Sequence, residues 1–370
     1  MTIDPVSYTG VPRGRPPDPT SRHGLILLNA GLGNTLMSVP LLHDLATARP
    51  GWRFRLLATP VPGEVVERFP ETVQFVPPAT PPLWRRFLEP DRPAMLAFLA
   101  AESIDLVINL RKEALADDHG YRAFRRQATG FGITCWDLHE LADSEINQVP
   151  FVDQARRLLR GHLGAGPQHP SDYLRDLCEP PDERTIGLFL GASRAAKRWQ
   201  PRRWRRTVEQ LLTQNPGVRV ELAGGTTPDE LQLLEDVRAG LPSSRVRTVT
   251  LSDFTAVLRW TGRLSVLLSG DTSVLHAASA IGVPSVGLYF STLGSVWGPT
   301  ESGTVLQGAL GAECPAMRIN GTCRRLDTGC PAPCRAGIRP EQAAQAVSGQ
   351  LATASNTGRN RHGSASDLPR

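Results

Sequence analysis

The residues best suited to chemistry lie in one short stretch of the second half of the chain. An apolar run at 264–268 ends in small residues, and Asp271, Thr272, Ser273 and His276 follow it. The pattern predicts a strand and then a helix that begins at Asp271, with this residue as its N-cap. The backbone N–H groups of Thr272 and Ser273, with His276 one turn further on, would face an anion at the helix start. This stretch favours a phosphate-bearing ligand, and a histidine packed in the core is the alternative for His276.

The segment behind this helix indicates where the turn lies in a sheet. The helix is predicted to end at Gly282 and Pro284, and a second apolar run follows at once. Strand, helix and strand in this order form a crossover between parallel strands. The turn then lies at the carboxyl end of the first strand, where open α/β sheets bind ligands.

A basic loop at 191–199 supplies further groups that suit an anion. It lies between a predicted strand and a predicted helix and contains Gly191, Ser193, Lys197 and Arg198. Of its cationic residues, Lys197 and Arg198 could neutralise a phosphate group. A solvated loop lysine is the alternative for Lys197.

Strands and helices alternate along the chain in two successive series. The predicted strands are 24–29, 54–58, 73–76 and 106–110 in the first series, and 185–190, 218–223, 246–251 and 264–268 in the second. Helical or proline-broken segments separate them, which is typical of an α/β fold. We therefore expect two Rossmann-like domains that face each other across a cleft.

A glycine turn follows the first predicted strand. Gly31 and Gly33 would let the backbone approach a ligand, and Asn34 comes directly before an amphipathic helix at 35–49. The third glycine of the dinucleotide fingerprint is missing, which argues against the alternative of an NAD-dependent oxidoreductase. A tight turn that binds nothing is the other interpretation.

Three charged residues, Arg111, Lys112 and Glu113, directly follow the predicted strand at 106–110. Their position after a strand end makes them candidates for an acceptor site. The solvated start of a helix explains them equally well.

Length and charge limit the classes of protein that fit. A chain of 370 residues is longer than one hydrophobic core usually accommodates, which favours two domains. Its net charge of +5 suits a nucleic acid, an anionic membrane surface or phosphorylated small molecules as a partner. It shows no zinc-finger spacing, helix-turn-helix signal or arginine-aromatic interleaving, so we expect no nucleic-acid partner. Without an apolar run of about 18 residues or a signal-peptide core, a cytoplasmic protein is expected.

Four of the six cysteines crowd into a short segment, as Cys314, Cys323, Cys330 and Cys334. The spacing lacks the paired C-x2-C knuckles of a zinc site, and disulfides do not persist in a reducing cytoplasm. A structural loop is the preferred interpretation, with a metal site as the alternative.

Together these motifs resemble glycosyltransferase family 9, the heptosyltransferase group. The Lys-Arg-Trp loop and the Asp-Thr-x-x-x-His helix start are the specific part of a resemblance that extends over roughly residues 23–350. Five motifs match in the family's order: Gly31-Leu32-Gly33 with Pro40, Gly191-Ala192-Ser193 with Lys197-Arg198-Trp199, Leu222-Ala223-Gly224-Gly225, Asp271-Thr272-Ser273 with His276 and Gly282-Val283-Pro284, and a cysteine-bearing tail that ends on Ile338-Arg339-Pro340-Glu341.

The resemblance implies the two-domain GT-B architecture. The expected organisation is a disordered tail at 1–22, an acceptor domain at 23–165, a linker at 166–184, a donor domain at 185–335, a C-terminal helix at 336–352 that braces the first domain, and a disordered tail at 353–370.

The family also implies an activity. It transfers a sugar with inversion from a nucleotide-diphosphate sugar, by analogy ADP-heptose, and needs neither a metal nor another cofactor. The acceptor would be the inner core of lipopolysaccharide, another glycan, a lipid-linked molecule or a small-molecule natural product. The enzyme is expected in the cytoplasm, either dissolved or in peripheral contact with the anionic inner face of the membrane.

The site residues follow from the matched motifs, because cations and N–H donors stabilise the charge that develops on the leaving diphosphate. The residues expected to bind the donor are Gly191, Ser193, Lys197, Arg198, Gly225, Asp271, Thr272, Ser273 and His276. Those expected to bind the acceptor are Gly31, Gly33, Asn34, Arg111 and Lys112, and the catalytic candidates are Asn34, Glu113 and Lys197.

Three neighbouring residues receive a structural interpretation. Trp199 is expected to pack in the core rather than to contact a ligand. Asp229 and Glu230 follow Gly225 closely and could accept hydrogen bonds from ribose hydroxyls. Acidic residues are common at a helix start, and that explanation is preferred for both.

The chain departs from the family at Asn34, where an aspartate normally serves as the base that deprotonates the acceptor. A carboxamide cannot take a proton at neutral pH, and loss of a general base costs about 10²- to 10⁴-fold in rate. Either another carboxylate such as Glu113, Asp117 or Asp118 is the base, or the acceptor is a better nucleophile. The third possibility is a protein that binds a nucleotide sugar without turnover.

Overall fold

The computed structural model describes residues 22–28, 31–58, 61–76, 99–111, 119–141, 149–164, 168–178, 184–299, 303–309, 313–314, 316–317, 322–323 and 333–362. The chain divides into two compact units between Pro170 and Ser171. The boundary falls inside the predicted linker. The predicted tail at 1–22 lies outside the described residues except for Arg22.

The N-terminal unit contains a five-stranded parallel sheet in the order β3-β2-β1-β4-β5. Its strands are β1 (Arg22–Leu27), β2 (Trp52–Leu57), β3 (Val73–Val76), β4 (Ile104–Asn109) and β5 (Thr134–Asp137). The helices are α1 (Leu32–Ala48), the single turn α2 (Gly63–Val66), α3 (His119–Gly130) and α4 (Phe151–Leu163). Strands β1 and β4 are central and almost wholly buried, which explains why they read as continuous apolar runs.

The C-terminal unit contains a six-stranded parallel sheet in the order β11-β10-β9-β6-β7-β8. Its strands are β6 (Thr185–Phe189), β7 (Arg219–Gly224), β8 (Val246–Thr250), β9 (Val266–Gly270), β10 (Ser285–Tyr289) and β11 (Gly303–Gln307). The helices are α5 (Pro201–Gln214), α6 (Pro228–Arg238), α7 (Phe254–Gly262), α8 (Ser273–Ile281), the single turn α9 (Gly294–Trp297) and α10 (Pro340–His362).

Helix α8 ends as the sequence predicts. Gly282 follows it with φ of 83°, the left-handed conformation that glycine adopts at little cost, and its N–H donates back to Ser279. Pro284 then precedes β10, whose five residues are all buried. The strand, helix and strand predicted around Asp271 are therefore confirmed.

Helix α10 packs against α5 and strands β9 to β11 of its own unit, where Ala343, Ala344 and Val347 are fully buried. The helix continues to His362, about ten residues past its predicted end, into a segment for which the sequence predicted no structure. Extension of an existing helix costs little once packing has nucleated it, so a polar sequence can follow. That α10 braces the first domain stays a prediction.

The predicted linker is ordered where the structure describes it. The His169 N–H donates to Asp44 Oδ1 over 2.7 Å, and Arg156 Nε donates to Asp44 Oδ2 over 3.1 Å. On the other side of the division, the Leu174 N–H donates to Ala280 O over 2.7 Å. The chain is thus anchored within each unit, and only about four residues separate the two anchors.

Candidate active site

The candidate site lies at the carboxyl ends of β6, β7, β9 and β10. The chain runs from β6 outward to β7 and β8, and then returns to place β9 on the other side of β6. The order of strands reverses between β6 and β9, and open α/β sheets bind ligands at such a switch point. The loop after β6 and the turn after β9 carry most of the residues predicted for the donor.

Lys197 and Asp271 form an ion pair at this switch point. The Lys197 Nζ lies 2.6 Å from Asp271 Oδ2 and also donates to the Asp271 carbonyl oxygen over 3.4 Å. Asp271 is buried, whereas about a fifth of the Lys197 side chain remains exposed. The pair therefore presents its cation toward solvent and its carboxylate toward the core.

Two further side chains hold the Asp271 carboxylate. Thr292 Oγ1 donates to Asp271 Oδ2 over 2.8 Å, and His276 Nε2 lies 3.7 Å from Asp271 Oδ1. Burial alone would raise the pKa of the Asp271 carboxyl, but Lys197 and His276 outweigh it and hold that pKa well below its usual range. Asp271 is thus a carboxylate at neutral pH, and its charge keeps Lys197 in place.

The N-cap of helix α8 is Thr272, so the prediction of Asp271 was wrong. Asp271 lies one residue before the cap, and its side chain accepts from Lys197 and Thr292. No N–H of the helix donates to the Thr272 side chain, whose Oγ1 lies 3.1 Å from Ser269 Oγ. In the first turn the Leu275 N–H donates to the Thr272 carbonyl oxygen over 3.1 Å, and the Ser273 and Val274 N–H groups have no side-chain cap.

The rest of the basic loop has mixed roles. Arg198 Nε donates to Ala192 O over 3.0 Å, and its guanidinium lies 4.0 Å from the exposed carboxylate of Asp229. Ser193 is exposed at the same loop. Trp199 is 2% exposed and packs edge to face against Trp204 at 5.2 Å between ring centroids, which confirms its predicted structural role.

The structure does not support the interpretation of Glu230 as an ordinary acidic residue at a helix start. It is 4% exposed, although an ordinary acid at a helix start lies in solvent, as Asp229 does. Its carboxylate accepts from Thr227 Oγ1 over 2.8 Å and lies directly against Gly191 and Gly225. A Cβ atom at either glycine would overlap it, so both glycines are needed to admit this carboxylate to the strand ends. No spacing in the sequence distinguishes Glu230 from Asp229.

The N-terminal unit carries the residues predicted for the acceptor. Gly31 has φ of 131° and precedes α1, and Asn34 lies in the first turn of that helix, where its N–H donates to Gly31 O over 3.2 Å. Gly33 is part of the same turn. Arg111 is 7% exposed, which contradicts a solvated helix start, and its N–H donates to Asn109 Oδ1. Lys112, Glu113, Asp117 and Asp118 lie outside the described residues.

The described cysteines form no disulfide. Cys323 pairs with Met317 in an antiparallel bridge, and its N–H donates to Ser291 O over 2.7 Å, next to Thr292. Within the described ranges no group of three or more His, Cys, Asp or Glu side chains could hold a metal, and Cys330 lies outside them. The described part of this cysteine-bearing segment therefore contacts the loop that carries Thr292.

Residues 156–318 match the family model of glycosyltransferase family 9 (heptosyltransferase). No curated protein sequence matches the chain.

Three solved structures illustrate the similarity of fold. Escherichia coli heptosyltransferase WaaC with ADP has a TM-score of 0.56 at 19% identity, over 89% of this chain and 99% of that one. E. coli ADP-heptose lps heptosyltransferase II has a TM-score of 0.52 at 15% identity, over 90% and 99%. The iron-containing dodecameric glycosyltransferase TibC from enterotoxigenic E. coli has a TM-score of 0.50 at 13% identity, over 91% and 77%.

The family match and the fold agree with the geometry of the site. The matched segment contains Lys197, Glu230 and Asp271 as well as the start of α8. At these identities the solved structures establish the fold of the chain rather than its chemistry. The predicted resemblance is thereby confirmed: residues 156–318 match the model of glycosyltransferase family 9, and the two parallel sheets have the fold of the heptosyltransferase structures, which is of the GT-B type.

Proposed function

We propose that the protein is an inverting glycosyltransferase that uses a nucleotide-diphosphate sugar, with ADP-heptose as the expected donor. The observation that carries the proposal is the Lys197–Asp271 pair beside the uncapped start of α8. The match to glycosyltransferase family 9 supports the reaction class, and the ADP in the WaaC structure and the name of heptosyltransferase II support the donor.

The donor diphosphate would lie between Lys197 and the first turn of α8. An ammonium has three hydrogens, and the Asp271 carboxylate and carbonyl oxygens accept two of them, which leaves the third for a phosphate oxygen. The uncapped N–H groups after Thr272 add donors and the positive end of the helix dipole. Arg198 supplies further positive charge from the same loop, and the buried His276 lies behind the Asp271 carboxylate, with its Nε2 3.7 Å from Oδ1.

The ribose of the nucleotide would bind to Glu230. Its carboxylate lies at the ends of β6 and β7, where two glycines leave it room, and the Thr227 hydroxyl takes only part of its capacity to accept hydrogen bonds. Two vicinal hydroxyls match the two oxygens of a carboxylate. This assignment distinguishes a nucleotide from inorganic pyrophosphate.

In the proposed reaction the acceptor hydroxyl attacks the anomeric carbon, and the bond to the diphosphate breaks on the opposite face. Negative charge grows on the leaving phosphate as this bond breaks. Lys197 and the N–H groups of α8 are held in advance where that charge develops, so they stabilise the transition state more than the bound donor. We propose that no metal is required for this step, with insensitivity to EDTA as its test.

Activation of the acceptor is the part of the reaction in which this chain differs from its family. Asn34 lies in the first turn of α1, and its amide cannot act as a base. We propose that a carboxylate among Glu113, Asp117 and Asp118 takes the proton or that the acceptor ionises easily. Asn34 also favours a second candidate function, a protein that binds the nucleotide sugar without turning it over.

Turnover of ADP-heptose by the wild-type protein and by Asn34→Asp separates these functions. ADP release by the wild type, with or without a lipopolysaccharide core acceptor, supports an enzyme whose base is elsewhere. Release only by Asn34→Asp supports a binding protein that has lost its base. If neither form binds ADP or ADP-heptose in a calorimetric titration, both functions are wrong.

For the acceptor we propose a chemical class, and for the protein a cellular compartment. The acceptor is a glycan, a lipid-linked molecule or a small molecule. No helix among the described residues has the length and apolar character of a membrane span. With a net charge of +5 we propose a cytoplasmic enzyme with peripheral contact to anionic lipid, which cosedimentation with anionic and neutral vesicles would test.

A further inference from the structure

Ser269 is the buried last-but-one residue of β9 and contacts the start of α8. It is wholly buried, and its Oγ donates to the Gly270 carbonyl oxygen over 2.9 Å. The same Oγ lies 3.1 Å from Thr272 Oγ1. Because the Ser269 hydrogen is used on Gly270, the Thr272 hydroxyl is the donor in the second contact. The Thr272 hydroxyl therefore donates to Ser269 Oγ, and the Ser269 hydroxyl donates to the Gly270 carbonyl oxygen.

The contact with Ser269 accounts for why the Thr272 side chain does not cap helix α8. Thr272 is the N-cap, with φ of −140° and ψ of 164°, and in that conformation a threonine oxygen ordinarily accepts from the N–H of the second or third helical residue. In α8 those residues are Val274 and Leu275. Neither donates to the Thr272 side chain, and the Leu275 N–H bonds instead to the Thr272 carbonyl oxygen over 3.1 Å.

We propose that Ser269 is a positioning residue that holds the Thr272 hydroxyl away from the start of α8 and so keeps the Ser273 and Val274 N–H groups available to the donor diphosphate. The inference rests on the proposed function for its ligand, since it concerns the same helix start. Without Ser269 the Thr272 oxygen would cap the helix and occupy the position of a phosphate oxygen. In this proposal the start of α8 lacks an ordinary side-chain cap, and its N–H groups can instead bind an anion.

A double-mutant cycle on the full-length chain tests this mechanism. ADP affinity is measured by calorimetry for the wild type, Ser269→Ala, Thr272→Val and Ser269→Ala/Thr272→Val. Because ADP must displace a newly formed cap, Ser269→Ala should weaken ADP binding about fivefold when Thr272 is present. In the Thr272→Val background, where no cap can form, the same change should alter the affinity less than about twofold. Equal losses in both backgrounds, or no loss with Thr272 present, would overturn the proposal.

Amide exchange in the absence of nucleotide tests the cap itself. In Ser269→Ala the peptide that contains Val274 and Leu275 should exchange hydrogen for deuterium about fivefold more slowly than in the wild type, and the double variant should lose this protection. A merely structural role for Ser269 predicts faster exchange in both variants and would contradict the inference. If the wild type fails to bind ADP, the proposed function is wrong, while the exchange result still decides whether Ser269 restrains Thr272.

Discussion

Lys197 Nζ lies 2.6 Å from Asp271 Oδ2, although the two residues are 74 positions apart in the chain. The loop after β6 carries the lysine and the turn after β9 carries the aspartate, and these strands are neighbours in the sheet. The ion pair is therefore a direct product of the strand order. It fixes a cation beside the uncapped N–H groups of α8, and the proposed function depends on this arrangement.

Replacement of Lys197 by methionine should reduce both stability and nucleotide binding. The variant keeps the apolar stem but leaves Asp271 buried without its counterion, which we expect to lower the free energy of unfolding by about 3 kcal/mol. Loss of a charged hydrogen bond should weaken ADP binding by at least tenfold. Urea unfolding and calorimetry measure the two effects. Arg202→Met, at the exposed second residue of α5, is the control, and an equal loss of affinity there would count against Lys197.

The contribution of Asp271 to stability should depend on pH in one direction. Its pKa is held below the usual carboxyl range in the folded protein, so the carboxylate stabilises the fold at neutral pH. That stabilisation is lost as the pH falls from the ordinary carboxyl pKa, about 4, toward the lower folded value. The wild type should therefore exceed Asp271→Asn in unfolding free energy at pH 7, and the gap should narrow between pH 4 and 3. A gap that is constant or widens on acidification would refute the assigned charge state.

Thr292 should support the site through its hydroxyl alone. Thr292→Val keeps the shape of this buried side chain but removes the donor to Asp271, which should cost about 1–2 kcal/mol of stability and weaken ADP binding several-fold. Thr292→Ser keeps the hydroxyl and should retain most of the affinity. Should the serine variant lose as much affinity as the valine variant, the hydroxyl is not the group that matters. Parallel titrations of the two variants with ADP make the comparison.

Glu230→Gln should distinguish the ribose from the diphosphate. The variant is expected to bind ADP about tenfold more weakly, because a charged acceptor of the ribose hydroxyls becomes a neutral one. Its affinity for pyrophosphate, which has no ribose, should stay close to that of the wild type. Asp229→Asn, an exposed acid one residue earlier, should change neither affinity. A parallel loss of ADP and pyrophosphate binding in Glu230→Gln would instead indicate general damage to the site.

The fold was predictable where buried elements produce a continuous apolar run in the sequence. Central strands such as β4 and β9 are covered on both faces and therefore read as apolar runs, which place them to within about two residues. Two edge strands were missed, β5 and β11, because they are short and partly exposed and lack such a run. Helix α3 was also missed, since its sequence is rich in arginine and contains few apolar residues.

The site was predictable as a set of residues but not as a set of contacts. The motifs around Lys197 and Asp271 identify both residues, yet the order of strands decides that they meet. Aspartate and threonine are both good N-caps, so the sequence could not show that Thr272 takes this role. Glu230 could not be distinguished from Asp229 because only the folded chain shows which of the two carboxylates is buried.

The most direct test of the account is a calorimetric titration of ADP into the full-length wild-type protein and into Lys197→Met under identical conditions without added metal. The account predicts saturable binding of one ADP per chain to the wild type, and at least tenfold weaker binding to the variant. Absence of saturable binding to the wild type, or equal affinity of the two proteins, would contradict the claim that the Lys197–Asp271 pair forms a nucleotide-diphosphate site.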